Sequence, residues 1–458
     1  MEEDNHGKNT SDSIELIYMD VKISNFCENL NKMSIVAEKT SKQKVAEIRS
    51  EPREDASLWM VRVLIIFFKL IGLATFTYRT DTQKKRKLFI FQHSKFDIVY
   101  NAVLISLMLA SLSISIPYRF TMEYENKTNL NEVIETIQTV LGAFVICMIL
   151  LFYCIEQKSL VRMMNRLTDI EHELDRLHDP SQRQRVLWGL IVVYILNGCL
   201  VITLATTEVL AFHTSPVSWL SDILPSFHVG WMLVQYFLLA TIIQADFADV
   251  NRTLQNLSRV STSDLQSQTF CQTRRVIVTN STVHQLLKLR DVHCHLCEIS
   301  GNVSDFYSLP VLYGVTFLFL TLVYNGYYLL SPLLMSDEVL EYKVFINTVF
   351  WIIYVIYPIF LLTSRITKLM NEMEKTGNVV HNILSIAIGK EAKSELKEFS
   401  LQILHRKIRF TANGYFALDN SFFHSLVGTV ATYLVILVQF QMGSSRSQCN
   451  VNCTPKDS

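Results

Sequence analysis

Seven stretches of about 20 mostly apolar residues, each walled off by charged sequence, leave this chain few ways to fold. They run from Ile98 to Ile116, Val133 to Ile155, Val186 to Thr206, His228 to Ala245, Leu309 to Leu330, Phe345 to Thr363 and Phe422 to Gln441. At about 1.5 Å of rise per residue, a helix of that length matches a bilayer core of roughly 30 Å. Only 18% of the 458 residues are charged, where a soluble chain carries about a quarter. The deficit is local, because Lys, Arg, Asp and Glu gather between the apolar blocks. The formal net charge is zero, which argues for no nucleic-acid partner. The expected fold is all-α: a polytopic membrane protein with seven transmembrane helices and the lipid bilayer as its solvent.

An eighth apolar stretch, Leu58 to Phe76, reads as an interfacial amphipathic helix. Arg62 and Lys69 are seven apart and share a face, and a span would bury Lys69 mid-bilayer at a cost of several kcal/mol. Met1 to Glu54 is polar throughout, so the first span serves as the insertion signal.

Basic residues set the orientation. The connection before the first span holds Arg79, Lys84, Lys85, Arg86, Lys87 and Lys95, and the third holds Lys158, Arg162, Arg166, Arg176, Arg183 and Arg185. The fourth, Thr207 to Phe227, has neither Lys nor Arg, and the sixth has only Lys343. This alternation predicts an inside N-terminus and an outside C-terminus, the reverse of a G-protein-coupled receptor. Sequons do not vote, since Asn126 and Asn452 head them on outside segments while Asn251, Asn256, Asn280 and Asn302 head them on inside ones. Cys449 and Cys453 lie outside, where they form a disulfide or stay as two free thiols.

The inner connections are not linkers. Leu286, Leu289, Val292, Leu296 and Ile299 recur at helical spacing, as do Leu396, Phe399, Ile403, Leu404 and Ile408. Amphipathic helices outside a membrane need partners, so a helical anchor is expected. The organisation is then a disordered inner segment (1–57), an interfacial helix and basic loop (58–95), transmembrane helices one to four (96–245) and a cytoplasmic helical extension (246–308). Helices five and six (309–365), cytoplasmic anchor helices (366–420), the last span (421–441) and an extracellular tail (442–458) complete it.

The last span carries its few polar residues on one line. Thr432-Tyr433 precedes five aliphatics and Gln439-Phe440 follows them. Seven residues make nearly two turns, so Thr432 and Gln439 share a face and Tyr433 and Phe440 share the adjacent stripe. Ser425 and Gly428 or Thr429 extend the line backwards. Such a seam faces either a neighbouring helix or water.

These residues resemble the signature of the insect gustatory receptor family. His405-Arg406-Lys407 leading into Phe410 to Asp419 is similar to that family's segment before its last helix, with Asn413 where a cysteine is expected. Leu289 to Cys297, followed by Phe306-Tyr307-Ser308-Leu309-Pro310, resembles its entry to the fifth helix. The resemblance implies a ligand-gated, non-selective cation channel related to insect odorant receptors. It implies a homotetramer, or a heteromer with other gustatory receptors, in the plasma membrane of chemosensory neurons. Four copies of the last helix would line a pore for Na, K and Ca, and the cytoplasmic helices would anchor the subunits. Gln439 and Phe440 would gate the outer end, Thr432 would lie deeper on the pore side, and Tyr433 would belong to the inner half. A ring of Phe440 side chains can close by dewetting. Rotating the helix by about 100° would replace Phe440 with Gln439, whose amide oxygens suit cations.

A small-molecule tastant is expected among polar and aromatic residues in the outer halves of the second to sixth spans. The candidates are Gln138, Thr207, Glu208, His228, Trp231, Gln235, Tyr324, Asn325, Tyr328, Asn347, Trp351 and Tyr354. Aromatic walls beside amides suit a sugar such as fructose, through stacking and paired hydrogen bonds, and equally a bitter alkaloid through cation–π contact. The bland alternative for each is interhelical packing or an interfacial aromatic belt. In His293-Cys294-His295-Leu296-Cys297 only His293 and Cys297 share a helical face, so no metal site is expected. The span interiors hold almost no ionisable group, which argues against an enzyme and against a cofactor. A metabotropic seven-helix receptor would need the opposite orientation, and an obligate co-receptor subunit without its own ligand is the other alternative. A transporter would show paired broken helices in internal repeats, and none is found.

Overall fold

The computed structural model describes residues 59–81, 88–121, 129–175, 181–212, 216–266, 272–334, 342–385 and 390–452. The expected disordered segment (1–57), Asn126, the Lys84–Lys87 run and Cys453 lie outside the described residues. The chain divides into two compact units, Met1–Ile65 and Ile66–Ser458. Of the first, the described residues are 59–65, which are helical; the helix, α1, is described over residues 59–70.

Helix α1 ends well short of Phe76. Its described residues, 59–70, rise about 18 Å. Gly72 stops it by adopting a φ of +82°, and the Gly72 and Leu73 N–H groups turn back onto the Lys69 and Phe68 carbonyls at 3.0 and 2.8 Å. Lys69 meets Asp97 at 3.1 Å, so its charge is matched. Residues 72–76 are buried without being helical, and side chains satisfy their carbonyls. Asn101 Nδ2 donates to Gly72 O at 2.9 Å, Gln235 Nε2 to Leu73 O at 3.0 Å, and Gln157 Nε2 to Thr75 O. Irregular backbone is tolerated at membrane depth only on such terms. The expected basic loop is instead a hairpin, β1 (Phe76–Asp81) antiparallel to β2 (Leu88–His93), with Tyr78 opposite Phe91. Asn165 of the following helices clamps Phe91 through both its amide groups, at 2.8 and 3.0 Å.

Helices then follow in order: α2 (Lys95–Thr121), α3 (Asn129–Ile155), α4 (Gln157–Asp175), α5 (Ser181–Phe212), α6 (Pro216–Gln266), α7 (Gln272–Leu334), α8 (Tyr342–Ser385) and α9 (Lys390–His405). The last, α10 (Asn420–Asn452), runs on past Gln441, where a tail was expected. All but α4 and α9 are long and apolar enough to cross a membrane, giving seven spans among the described residues.

Helices α6, α7 and α8 are 51, 63 and 44 residues long, well beyond the ~20 residues a bilayer requires. Their surplus lengths join α4 and α9 in one helical bundle. Arg290 Nη1 bonds Glu395 at 2.8 Å, Arg166 bonds Glu298, and Asn251 Nδ2 donates to Glu372 O at 2.9 Å. Leu286, Leu289, Val292 and Leu296 of α7 are buried with Leu396 and Phe399 of α9. Asn251 is 1% exposed, so its sequon cannot carry a glycan.

A short hairpin, β3 (Thr411–Ala412) with β4 (Phe416–Ala417), leads from α9 into α10. Three residues, 413–415, join the strands, and Asn413 and Gly414 take φ of +49° and +77° there, the left-handed region that Asn and Gly enter most readily. Asn413 N–H donates to Ser308 Oγ at 2.6 Å, Ser304 Oγ to Arg409 O at 3.2 Å, and Asn420 N–H to Thr367 Oγ1 at 3.0 Å. The entry to α10 is thereby tied to both α7 and α8.

Candidate functional site

The polar line of α10 lies opposite the side on which the helix packs. Phe423 meets Phe360 of α8 at 5.4 Å, and Leu426 and Val430 are buried. At Gly326 of α7 the two helices come so close that a Cβ would stand 2.8 Å from Leu434 Cδ1. Positions 423, 426, 430, 434 and 437 thus form one stripe at helical spacing. Ser425, Gly428, Thr429, Thr432 and Gln439 are all exposed, and their line lies roughly 155° around the helix from that stripe. Phe440, 76% exposed, stands about 100° from Gln439. Tyr433 turns partly inward, its ring 5.8 Å from that of Phe319 on α7.

Ser425, Thr429 and Thr432 donate their hydroxyl protons to the carbonyls four residues back, at 3.0, 2.8 and 3.0 Å. What they offer outward is therefore oxygen lone pairs. Gln439 and Phe440 lie about 28 Å along the helix from Asn420, at the end away from the bundle.

A second constellation joins α5 to α8. Glu208 Oε2 accepts from Asn347 Nδ2 at 2.7 Å and from Trp351 Nε1 at 3.0 Å, while Thr207 Oγ1 donates to Asn347 Oδ1 at 2.8 Å. All but Thr207 are buried below 9% exposure. Four of the twelve candidate ligand residues converge here from positions about 140 apart in the chain. A carboxylate held at membrane depth by an indole and an amide can accept hydroxyl protons or face a cation, and the Trp351 ring offers a stacking surface.

The remaining candidates go elsewhere. Tyr354 faces α6, its hydroxyl 3.5 Å from Ser226 O. Trp231 sits in an aromatic cluster with Phe67 at 4.5 Å and Tyr194 at 4.9 Å. Gln235 does share its side of α6, but both its amide groups are taken up by Leu73 O and the Tyr153 hydroxyl, at 3.0 and 2.7 Å. His228 is 5% exposed on the same helix. The reason is where α6 begins. It starts at Pro216, so His228 lies about 18 Å along it, deeper than the sequence suggests. Tyr324, Asn325 and Tyr328 lie at the end of α7 beside α10, with Asn325 Nδ2 donating to Thr321 O at 2.8 Å and the two tyrosine rings 6.2 Å apart. Gln138 is half-buried on α3.

Asn197 was missed. It is fully buried on the same stripe of α5 as Leu190, Leu204 and Glu208, and neither amide atom has a partner among the described residues. An amide alone in an apolar run was the available signal. His293 and Cys297 touch at 3.8 Å, with the ring wedged between Phe247 and Phe399. No group of three or more potential metal ligands occurs among the described residues.

Known proteins resemble this chain in sequence and fold. The family model described as 7tm chemosensory receptor matches residues 61–444. The Drosophila melanogaster gustatory receptor homologue 28a is 21% identical over 429 residues, covering 85% of this chain and 93% of the relative. Homologue 28b of the same species is 30% identical over 174 residues, which is 37% of either chain. The insect olfactory receptor OR5 from Machilis hrabei has the same fold, with a TM-score of 0.58 at 15% identity over 83% of this chain and 97% of that one. The match of the family model over most of the sequence, on a chain with seven membrane-length helices, makes this protein a member of the seven-transmembrane chemosensory receptor family.

Proposed function

We propose that the protein is a tastant-gated, non-selective cation channel that depolarises a chemosensory neuron from its plasma membrane. One observation carries this reading: α10 turns its polar line away from its own subunit. In lipid the outward lone pairs of Ser425, Thr429 and Thr432 and the amide of Gln439 would meet no polar partner, whereas four α10 helices around an axis would place them on water. The subunits would be copies of this chain or other gustatory receptors, the N-terminus inside and Gln439 at the outer mouth. Na, K and Ca would pass the outward-facing hydroxyl oxygens. Phe440 would close the pore by dewetting, and Gln439 would replace it on opening.

The tastant would bind near Thr207, Glu208, Asn347 and Trp351, in the outer half of the membrane. A sugar such as fructose or a bitter compound suits that chemistry. One relative, 23% identical over 168 residues, is named a gustatory receptor for bitter taste, and the Machilis hrabei receptor also has a eugenol complex of the same fold. Patch recording from cells expressing this chain alone tests the channel. Prompt tastant-evoked cation current with G-protein signalling blocked is the expected result, and no current at proven surface expression overturns it. A calcium-imaging panel of sugars and bitter compounds separates the two ligand classes.

A further inference from the structure

The flank of the molecule between α3 and α7 holds a cavity of about 120 Å³. Leu151, Phe152 and Ile155 form one wall and Leu309, Pro310 and Tyr313 the other. Met148 and the buried Ile149 complete the lining, and behind it Phe306 packs on Phe152 at 5.4 Å and on Tyr153 at 5.2 Å. Its rim is open: Leu151 and Ile155 are 46% and 67% exposed. Both walls belong to membrane-length apolar segments.

Two charged side chains fix its depth. Lys158 is exposed three residues beyond Ile155, and Asp305 is exposed one turn before Leu309. Charged residues at the ends of spans mark the headgroup level, so the groove opens into hydrocarbon about one helical turn inside it. Pro310, lacking an N–H, cannot bond the Phe306 carbonyl and loosens α7 at this point. A groove with dry walls, at this depth and open sideways, excludes a soluble ligand. A cavity of about 150 Å³ holds a benzene-sized apolar guest, so this one takes a few methylene groups.

We propose that the groove binds one acyl chain of a bilayer phospholipid, whose headgroup lies beside Lys158 and Asp305. The chain gains dispersion contacts on three sides, which a flat helix face cannot supply. It also touches the helix that carries α10, because α7 packs on α10 through Phe319 and Gly326. The site therefore gives membrane composition a hold on α7. This inference stands on the membrane-spanning fold and does not depend on the channel reading.

The full chain reconstituted in phosphatidylcholine nanodiscs tests it. The probe is a phosphatidylcholine with a photoreactive diazirine in one acyl chain, with crosslinked peptides mapped by mass spectrometry. Labelling should concentrate on residues 148–155 and 309–313, several-fold above the exposed face of α5 around Ile195 and Ile202. Leu151→Trp fills the groove and should abolish that excess while the α5 labelling persists. Leu309→Phe, from the opposite wall, serves if the first variant does not fold. Equal labelling of groove and α5, or an excess unchanged in a folded variant, overturns the proposal. So does labelling by a diazirine free fatty acid but not by the phospholipid.

Discussion

Helices α6 and α10 are both apolar enough to span a bilayer, yet 89% of the α6 window is buried within the chain and only 11% of the α10 window. Helix α6 has neighbours on every side: Tyr354 of α8, Tyr194 of α5, Phe67 of α1 and Tyr153 of α3. Helix α10 has one packing stripe. Low burial alone is not the lesson, because α5 is also 11% buried. The exposed side of α5 is mostly apolar, with Trp188, Val192, Ile195 and Ile202 and the back-bonded hydroxyl of Thr206 among them, as a lipid-facing surface can be. The exposed side of α10 carries the polar line. Apolar helices of equal burial thus differ in the chemistry of their uncovered sides, and the proposed pore rests on that difference.

The largest test removes mass from α6. Trp231→Ala should destabilise the fold by about 3–5 kcal/mol, the range for emptying a buried aromatic site, and lower the melting temperature of the purified protein. Phe440→Ala, on the bare side of α10, should leave that temperature unchanged. Equal losses from the two would erase the contrast between the helices.

Next come the effects on conduction. Gln439→Ala and Phe440→Ala should change single-channel conductance or resting leak severalfold without altering surface expression. Conductance indifferent to both substitutions would show that α10 does not line the path.

A smaller effect should come from Glu208→Gln, which keeps the shape but removes the charge accepted by Asn347 and Trp351. Hydrogen bonds to charged groups contribute about 1.5–3 kcal/mol, so a shift in tastant potency of about tenfold or more is expected, with conductance unchanged. A change in conductance instead would move Glu208 from recognition to the pore. The smallest effect is that of Thr432→Val, which removes one of several outward oxygens. It should lower conductance modestly and leave potency alone; an effect larger than that of Gln439→Ala would place the narrowest point deeper.

Some of what the structure shows stood in the sequence unread. Phe76-Thr77-Tyr78-Arg79 alternates as a strand should, but the Lys84–Lys87 run beside it reads as a basic loop. Asn413-Gly414 is among the strongest short hairpin signals, yet its flanks read as a prelude to the last helix. Gln235 could not be placed from periodicity. Its side of α6 was legible, but the carbonyl of Leu73 waiting there, 162 residues away in the chain, was not. Asn197 was visible as a lone amide without any sign of what it faces.

The number of spans, and the side of α10 that carries Thr432 and Gln439, were determined by the sequence alone. Hydrocarbon thickness and the 3.6-residue turn are local rules that any window of 20 residues reports. Which candidates meet was decided only by tertiary structure. Glu208, Asn347 and Trp351 converge, and Gln235 departs, because helix contacts depend on where each helix starts and on what irregular backbone, here residues 72–76, comes to lie between them.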